Sequence, residues 1–180
     1  MLQKWLKRIA AIVLSAVLTG AAILWYIKPS EPLDLIYEPV PFRQKIAEMA
    51  KNLKFSVLLT EQELNDLMKQ KLAERAQLSE KLRVTGARLE QNGTIATAYI
   101  NLMYAERVPI GAVFSFQLEW AEPNLAIRHT GTRIRGLDIP LAWLRLDPVF
   151  IAFEQHLPPF IAVKNITFHP SGVTVSFGLK

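Results

Sequence analysis

The sequence predicts an α+β protein: an N-terminal transmembrane helix followed by an antiparallel sheet of five to seven strands, with helices packed on its apolar face. Three features of the chain predict this fold. Residues 9–27 form an uncharged apolar run, residues 64–72 place apolar side chains at helical spacing, and much of the chain after Leu82 alternates between apolar and polar residues. Such alternation is typical of antiparallel strands that bury one face.

The run from Ile9 to Ile27 has the length of a membrane-spanning helix. Its nineteen residues carry no charge, and as a helix they would extend about 28 Å, close to the hydrocarbon thickness of a bilayer. Trp25 and Tyr26 stand at its end, where aromatic side chains favour the membrane interface. Three basic residues lie before the run, within residues 1–8, and one directly follows it. The positive-inside rule therefore places residues 1–8 in the cytoplasm and the rest of this single-pass protein of the cell membrane outside it.

Two other interpretations of this run are a cleaved signal peptide and a buried core helix. The apolar region of a signal peptide is usually roughly 7–15 residues long, and the available small-residue cleavage pattern, near residues 19–21, lies inside the run. An uncharged N-terminal run of this length is also untypical of a core helix. We therefore expect residues 9–27 to remain as an uncleaved anchor.

The charge of the chain is concentrated before the anchor. The net charge is +5, from 21 Lys and Arg against 16 Asp and Glu. From Lys28 onward the balance is 18 basic minus 16 acidic residues, or +2. This distribution does not indicate nucleic-acid binding, which needs a basic stripe within the folded domain. The absence of cysteine excludes disulfides, thiolate zinc sites and a cysteine nucleophile.

Four prolines, at positions 29, 32, 39 and 41, follow the anchor. Proline at this density favours extended chain, so residues 28–41 are predicted to form a semi-rigid stalk, which would reach roughly 40 Å if fully extended. Residues 42–180 then form the domain outside the membrane. Its first element is predicted to be an amphipathic helix over residues 42–53.

The rest of the domain is predicted from capping, alternation and turn signals. Thr60 and Glu63 have the spacing of a capping box and begin a helix. Asn92-Gly93 is typical of a type I′ hairpin turn, in which both central residues have positive φ. The segment from Ile139 to His156 loses the alternation and is predicted to be helical, interrupted near Pro148. Strands are predicted over residues 55–59, 82–90, 94–104, 112–120, 125–135, 160–168 and 173–179.

The sequence contains no pattern that indicates catalysis. The three histidines, at positions 129, 156 and 169, do not have the spacing of a metal pair. The chain lacks a nucleophile elbow, a P-loop and a dinucleotide-binding motif. Carboxylates from different strands could still meet in space, and their spacing favours no pair. We therefore expect a non-enzymatic protein without a cofactor or a metal.

Two groups of residues suggest binding. The first is apolar and alternates along one strand before continuing in the later segment; an ordinary core would explain it, and so would an apolar groove for the acyl chain of a phospholipid or lipid-linked precursor. The second is a group of arginines, which would bind headgroup phosphate through the guanidinium fork or form a solvated sheet face. The apolar group is Phe114, Phe116, Leu118, Trp120, Trp143, Phe150 and Phe153, and the arginines are Arg128, Arg133, Arg135 and Arg145.

The order of these phrases resembles that of the YpmS-like proteins of Firmicutes, whose domain has no known function. The resemblance covers most of the chain: the anchor, the proline-bearing segment, LTEQELNDLM at Leu59–Met68, the run of strands, and a closing phrase over residues 139–179. Within the closing phrase, Ile139-Pro140, Leu157-Pro158 and the terminal hairpin match, whereas IRHTGTRIRG at residues 127–136 is not matched. The resemblance implies a bacterial extracytoplasmic location and leaves the activity open.

These observations lead to an expected function and one alternative. The expected function is a membrane-anchored, extracytoplasmic, non-enzymatic envelope protein that binds lipid or a lipid-linked precursor in an apolar groove. The alternative is a structural module that docks another envelope protein. An exposed apolar groove would favour lipid, and a flat patch with an unpaired edge strand would favour a protein partner.

Overall fold

The computed structural model describes residues 2–41, 44–45, 55–144, 146–152 and 161–179. Its first element is helix α1, Leu2–Tyr26. The part from Trp5 to Tyr26 is long and apolar enough to cross a membrane, and its side chains are not buried by the rest of the fold. This agrees with the predicted membrane-spanning segment. Of the helix predicted over residues 42–53, only Gln44 and Lys45 are described, and both are helical.

The domain that follows is α+β, as predicted. Each strand pairs antiparallel with its neighbours, and one large sheet has the order β2-β3-β4-β5-β6-β7, with β8 also paired to β6. A separate three-stranded sheet has the order β1-β10-β9. The elements are β1 Ser56–Thr60, α2 Glu61–Glu74, β2 Gln77–Ser79, β3 Leu82–Asn92, β4 Ile95–Tyr104, β5 Val108–Ala121, β6 Asn124–Ile134, β7 Leu137–Ile139, β8 Val149–Ala152, β9 Ile161–His169 and β10 Gly172–Leu179.

The hydrophobic core lies between the two sheets. We call the side of the large sheet that carries Ala96 and Leu118 the apolar face, and the opposite side the polar face. Ala96, Leu118 and Leu125 of the large sheet belong to one buried cluster with residues of all three strands of the small sheet, among them Leu59 and Val163. Because successive side chains of a strand point to opposite sides, the alternation in the sequence turns the apolar side of each strand to this core.

The closing hairpin mostly follows its predicted pattern. Val173 and Val175 are buried and Phe177 packs against the core, whereas Leu179, also predicted to point inward, is exposed. The first hairpin is shifted by one residue from its prediction. Asn92 pairs with Ile95, so the turn is formed by Gly93 and Thr94, and Gly93 has a φ of 59°. Thr94, the second central residue, does not have a positive φ, and this fits a type II′ turn rather than the predicted type I′, which needs positive φ at both central residues.

The helix predicted from Ile139 to His156 is wrong where the structure describes that segment. Leu137–Ile139 and Val149–Ala152 are strands, and both pair with β6. Pro140 and Pro148 cannot donate a helical hydrogen bond, and the valine and isoleucine of the second strand fit a pleated surface better than a helix. Residues 153–160 lie outside the described residues.

The capping box at the start of α2 is formed as predicted. The Thr60 hydroxyl accepts a hydrogen bond from the Glu63 backbone N–H at 3.3 Å, and a Glu63 carboxylate oxygen accepts one from the Thr60 N–H at 2.9 Å. Lys45 Nζ lies 2.9 Å from the other Glu63 carboxylate oxygen. Burial raises the pKa of Glu63, but the hydrogen bonds from Lys45 and from the Thr60 backbone outweigh it and lower the pKa overall.

We expect Thr60→Ala to lower the free energy of unfolding of the domain by about 1 kcal/mol, because the N–H of Glu63 loses its side-chain acceptor. Urea unfolding of the full-length chain in nanodiscs measures this change. Thr60→Ser is the matched control, since serine keeps the hydroxyl, and it is expected to behave like the wild type. Equal losses from both substitutions would show that the hydroxyl is not what stabilises this helix start.

Candidate functional site

Residues 28–41, which we call the linker, contain no helix or strand in the structure. They are not a free spacer, because they cross the polar face of the large sheet. Gly86, Asn101 and Gly111 lie in one row across β3, β4 and β5, since Asn101 pairs with both glycines. A Cβ on Gly86 would lie 2.0 Å from the Leu33 carbonyl oxygen, and one on Gly111 would lie 2.7 Å from the Pro29 Cα. The two glycines therefore let the linker backbone approach the sheet.

Three hydrogen bonds hold the linker and the end of α1 along this row. The Gly111 N–H donates to the Ile27 carbonyl at 2.9 Å, and the Asn101 side-chain amide donates to the Glu31 carbonyl at 2.9 Å. The Ala87 N–H, at the edge of β3, donates to the Asp34 carbonyl at 3.0 Å. The linker thus runs from β5 over β4 to the edge of β3, and it makes the end of α1 part of the folded unit.

Helix α2 covers the next part of the β3 edge. Asn65 Oδ1 accepts from the Leu89 N–H at 2.9 Å, and Glu61 Oε1 accepts from the Gln91 N–H at 3.1 Å. Lys69 of the helix reaches the Asp34 carboxylate at 2.8 Å, and this contact lowers the pKa of Asp34. A strand edge whose N–H groups are occupied in this way is protected from pairing with another chain.

A charged cluster fixes the linker to the polar face. Arg88 Nη2 lies 2.7 Å from the Glu31 carboxylate, and Arg88 also pairs with Glu90. The guanidinium stands 4.3 Å from the centre of the Tyr99 ring, and the Tyr99 hydroxyl donates to Glu90 at 3.0 Å. The pKa of Tyr99 is raised, first by burial and then by its hydrogen bond to Glu90. The Glu31 hydrogen bond is the largest cause of the raised pKa of Arg88.

A recess of about 110 Å³ lies between the linker and the sheet beside this cluster. Lys28, Ser30 and Glu31 line it from the linker, and Arg135 lines it from the turn after β6. The Arg135 Nε donates to the Lys28 carbonyl at 3.3 Å, and its guanidinium stands 5.9 Å from the centre of the Trp25 ring. The recess therefore lies where α1 meets the domain.

The predicted aromatic stripe of β5 lies on the apolar face. Leu118 is part of the buried core, and Phe116 and Trp120 pack against that core. Phe114 is half-buried, and its ring centre lies 6.4 Å from that of Phe116. The His129 ring lies within 5.7 Å of Phe116 and 6.1 Å of Phe114. The stripe is thus partly ordinary core and partly, at Phe114, surface beyond the contact with the small sheet.

The later aromatic residues do not join the stripe. Trp143 is 81% exposed, in the turn after β7, so it does not cover the stripe as its predicted helical position implied. Phe150 pairs with Ala126, which in turn pairs with Glu119, so Phe150 belongs to the polar face. Phe153 lies outside the described residues.

The predicted arginines are also separated from the stripe. Arg128 and Arg133 pair with residues of the polar face, Gln117 and Val113, and each has an acidic neighbour. Arg128 lies 3.1 Å from Glu119, and Arg133 lies 3.8 Å from Asp138. Only Arg135 lines the recess, and Arg145 lies outside the described residues. The arginines therefore do not surround the mouth of an apolar groove on the other side of the sheet.

The described histidines are structural. His129 Nε2 lies 2.9 Å from the Gly131 carbonyl oxygen and 2.8 Å from the Thr132 hydroxyl, and His169 Nε2 lies 3.0 Å from the Thr174 hydroxyl. Over the described residues, no group of three or more His, Cys, Asp or Glu side chains could hold a metal ion. His156 lies outside the described residues.

The sequence-based prediction missed the glycine row. Gly86 and Gly111 interrupt strands in which most neighbours are larger, and a glycine inside a strand often marks a close backbone approach. That signal was present in the sequence. It did not reveal that the approaching chain would be the proline-bearing segment. The chain matches no family model, no curated protein and no solved structure.

Proposed function

We propose that this is a membrane-anchored, extracytoplasmic, non-enzymatic envelope protein that binds the acyl chain of a lipid or a lipid-linked precursor. In this proposal α1 crosses the cell membrane with residues 1–8 in the cytoplasm, and the apolar face of the large sheet receives the chain. Kinship with the YpmS-like family belongs to the same proposal. It rests on the sequence phrases at Leu59–Met68 and residues 139–179.

The observation that carries the proposal is the extent of the apolar face. Beyond the residues that pack on the small sheet, apolar side chains continue in paired positions towards the anchor end of the sheet. Leu89, which still packs against the core, forms one row with Ala98 and Phe114, and Ala87, Ile100 and Ala112 form the next row. The alanines are buried, whereas Ile100 and Phe114 retain accessible surface. Covering apolar surface of this kind with hydrocarbon is favourable by about 25 cal/mol of free energy per Å² removed from water.

The position of this surface supports lipid as the ligand. The second row lies beside the glycine row, at which the Gly111 N–H bonds to the carbonyl of Ile27, the residue directly after α1. A Cβ on Gly136, in the turn after β6, would lie 3.4 Å from the Tyr26 hydroxyl. With α1 in a bilayer, this end of the sheet stands at the membrane surface. An acyl chain would then reach the apolar face over a short path from the bilayer.

The proposal is tested with a phospholipid that carries a photoactivatable diazirine on its acyl chain, incorporated into nanodiscs with the full-length protein. We expect labelled peptides from β4 and β5 in addition to α1. Phe114→Gln is expected to lower the β5 labelling about tenfold, because a polar group buried without a partner costs roughly 1–3 kcal/mol. Ser115→Gln, which places the same side chain on the polar face, is the matched control and is expected to label like the wild type.

Labelling confined to α1 in the wild-type protein would contradict the acyl-chain proposal. The alternative function, docking of another envelope protein, would then lead. It has its own support in the exposed apolar side chains that follow β6, which include Leu137, Trp143 and Val149. Surface of this kind on an edge strand is typical of protein contacts.

A further inference from the structure

The recess between the linker and the polar face is lined by more basic than acidic side chains. Its three charged lining residues are Lys28, Glu31 and Arg135. The Glu31 carboxylate is engaged by Arg88 at 2.7 Å. Among the described residues, no carboxylate oxygen lies within 4.0 Å of the side-chain nitrogens of Lys28 or Arg135. Two cations without an acidic partner in this part of the chain therefore border the recess.

Arg135 is held in place without losing its capacity to bind an anion. Its backbone has a φ of 54°, its Nε donates to the Lys28 carbonyl, and its guanidinium stands over Trp25. These contacts occupy one edge and one face of the guanidinium group. Within the described residues, its two terminal nitrogens have no acceptor, and as parallel donors they match two oxygens of a phosphate group.

The recess also has the size of a phosphate site. Its volume of about 110 Å³ compares with about 30 Å³ for each molecule in liquid water. The recess thus holds nearly four water volumes, and a phosphate group, whose oxygens share one phosphorus atom, is more compact than four separate waters. Ser30 is also in the lining and carries a hydroxyl donor.

The place of the recess along the chain fits a phosphate of the bilayer. Helix α1 ends at Tyr26, and Lys28 follows it by two residues. Lysine and arginine beside the end of a membrane helix place their charged groups at the level of the lipid headgroups, where a phosphate oxygen is the natural acceptor for them. We infer that this recess binds the phosphodiester headgroup of an anionic phospholipid, with Arg135 as a two-oxygen donor and Lys28 as a second positive charge.

This inference rests on the proposed insertion of α1 in a membrane. It does not rest on the acyl-chain proposal, because the recess lies on the polar face and the acyl-chain surface lies on the opposite face. A headgroup in the recess would fix the domain at a defined height and rotation above the bilayer. The linker, whose backbone is bound along the glycine row, would transmit that orientation to the whole sheet.

The test is native mass spectrometry of the full-length protein released from nanodiscs of phosphatidylcholine with a minor fraction of phosphatidylglycerol. We expect phosphatidylglycerol to be retained in excess of its share in the disc. Arg135→Gln is expected to reduce this retention at least about tenfold, since one charge-assisted hydrogen bond corresponds to roughly that change in a binding constant. Arg135→Lys keeps the charge without the fork and is expected to retain an intermediate amount.

Arg128→Gln is the matched control, because it removes the same charge from an exposed arginine of β6 that pairs with Glu119. It is expected to retain lipid like the wild type, and equal losses from both positions would overturn the inference. A second arm adds inorganic phosphate to the detergent-solubilised protein and follows phosphorus NMR line widths. Arg135-dependent broadening without lipid retention would assign the recess to a soluble anion and overturn the lipid assignment.

The thermal transition of each variant separates loss of the site from loss of the fold. If Arg135→Gln unfolds the domain, the inference is tested instead with Lys28→Gln. That variant is expected to retain less phosphatidylglycerol than the wild type, and equal retention would contradict the inference. Failure of the wild-type protein to enter nanodiscs would instead contradict the membrane anchor. Acyl-chain labelling of β4 and β5 is read independently, so the two binding proposals fail separately.

Discussion

Leu59→Ala is expected to lower the free energy of unfolding of the domain by about 2–5 kcal/mol. Leu59 is 7% exposed and belongs to the cluster that joins the three-stranded sheet to the large one. The substitution removes buried apolar atoms and leaves a cavity between two sheets that are each held by their own hydrogen bonds. Urea unfolding of the full-length protein in nanodiscs, followed by tryptophan fluorescence, measures the loss.

The neighbouring leucine provides the control. Leu58 lies in the same strand, points to the other side and is 50% exposed. Leu58→Ala is therefore expected to change the free energy of unfolding by less than about 0.5 kcal/mol. Similar losses at both positions would mean that the small sheet does not pack on the large one through this side of β1.

Gly86→Ala is expected to destabilise the domain by about 1–3 kcal/mol and to loosen the linker. The added methyl group would lie 2.0 Å from the Leu33 carbonyl oxygen and 2.7 Å from the Asp34 nitrogen. Both atoms belong to backbone, so a side-chain rotation cannot relieve the contact. Displacement of the linker would also cost the hydrogen bond between the Ala87 N–H and the Asp34 carbonyl.

Two measurements check this expectation. Urea unfolding gives the loss of stability, and limited chymotrypsin digestion reports the linker, because cleavage after the half-buried Tyr37 should become faster. Gly131→Ala is the control, since a Cβ on that strand glycine has no atom within 4 Å, and we expect its stability to stay within about 0.5 kcal/mol of wild type. A Gly86→Ala protein with normal stability and slow cleavage would show that the linker does not depend on this contact.

The sequence by itself determined the elements whose signals are local. The uncharged run produced α1, and the capping box produced the start of α2. The alternation from Ala112 to Trp120 placed Phe114, Phe116 and Leu118 on one face of β5. Such features follow from neighbouring residues, because a helix repeats every 3.6 residues and a strand every two.

Tertiary structure decided the features that depend on distant partners. Val149–Ala152 was predicted to be helical because the alternation is lost there, and it is a strand whose backbone partners are supplied by β6. The arginines of β6 fall on the face opposite the aromatic stripe because strand register assigns each side chain a side. The path of the linker depends on a contact between Leu33 and Gly86, far apart in the chain. A glycine within a strand pattern indicates that another backbone comes close at that position. Which segment comes close to Gly86 is determined only by the assembled sheet, where it is the linker.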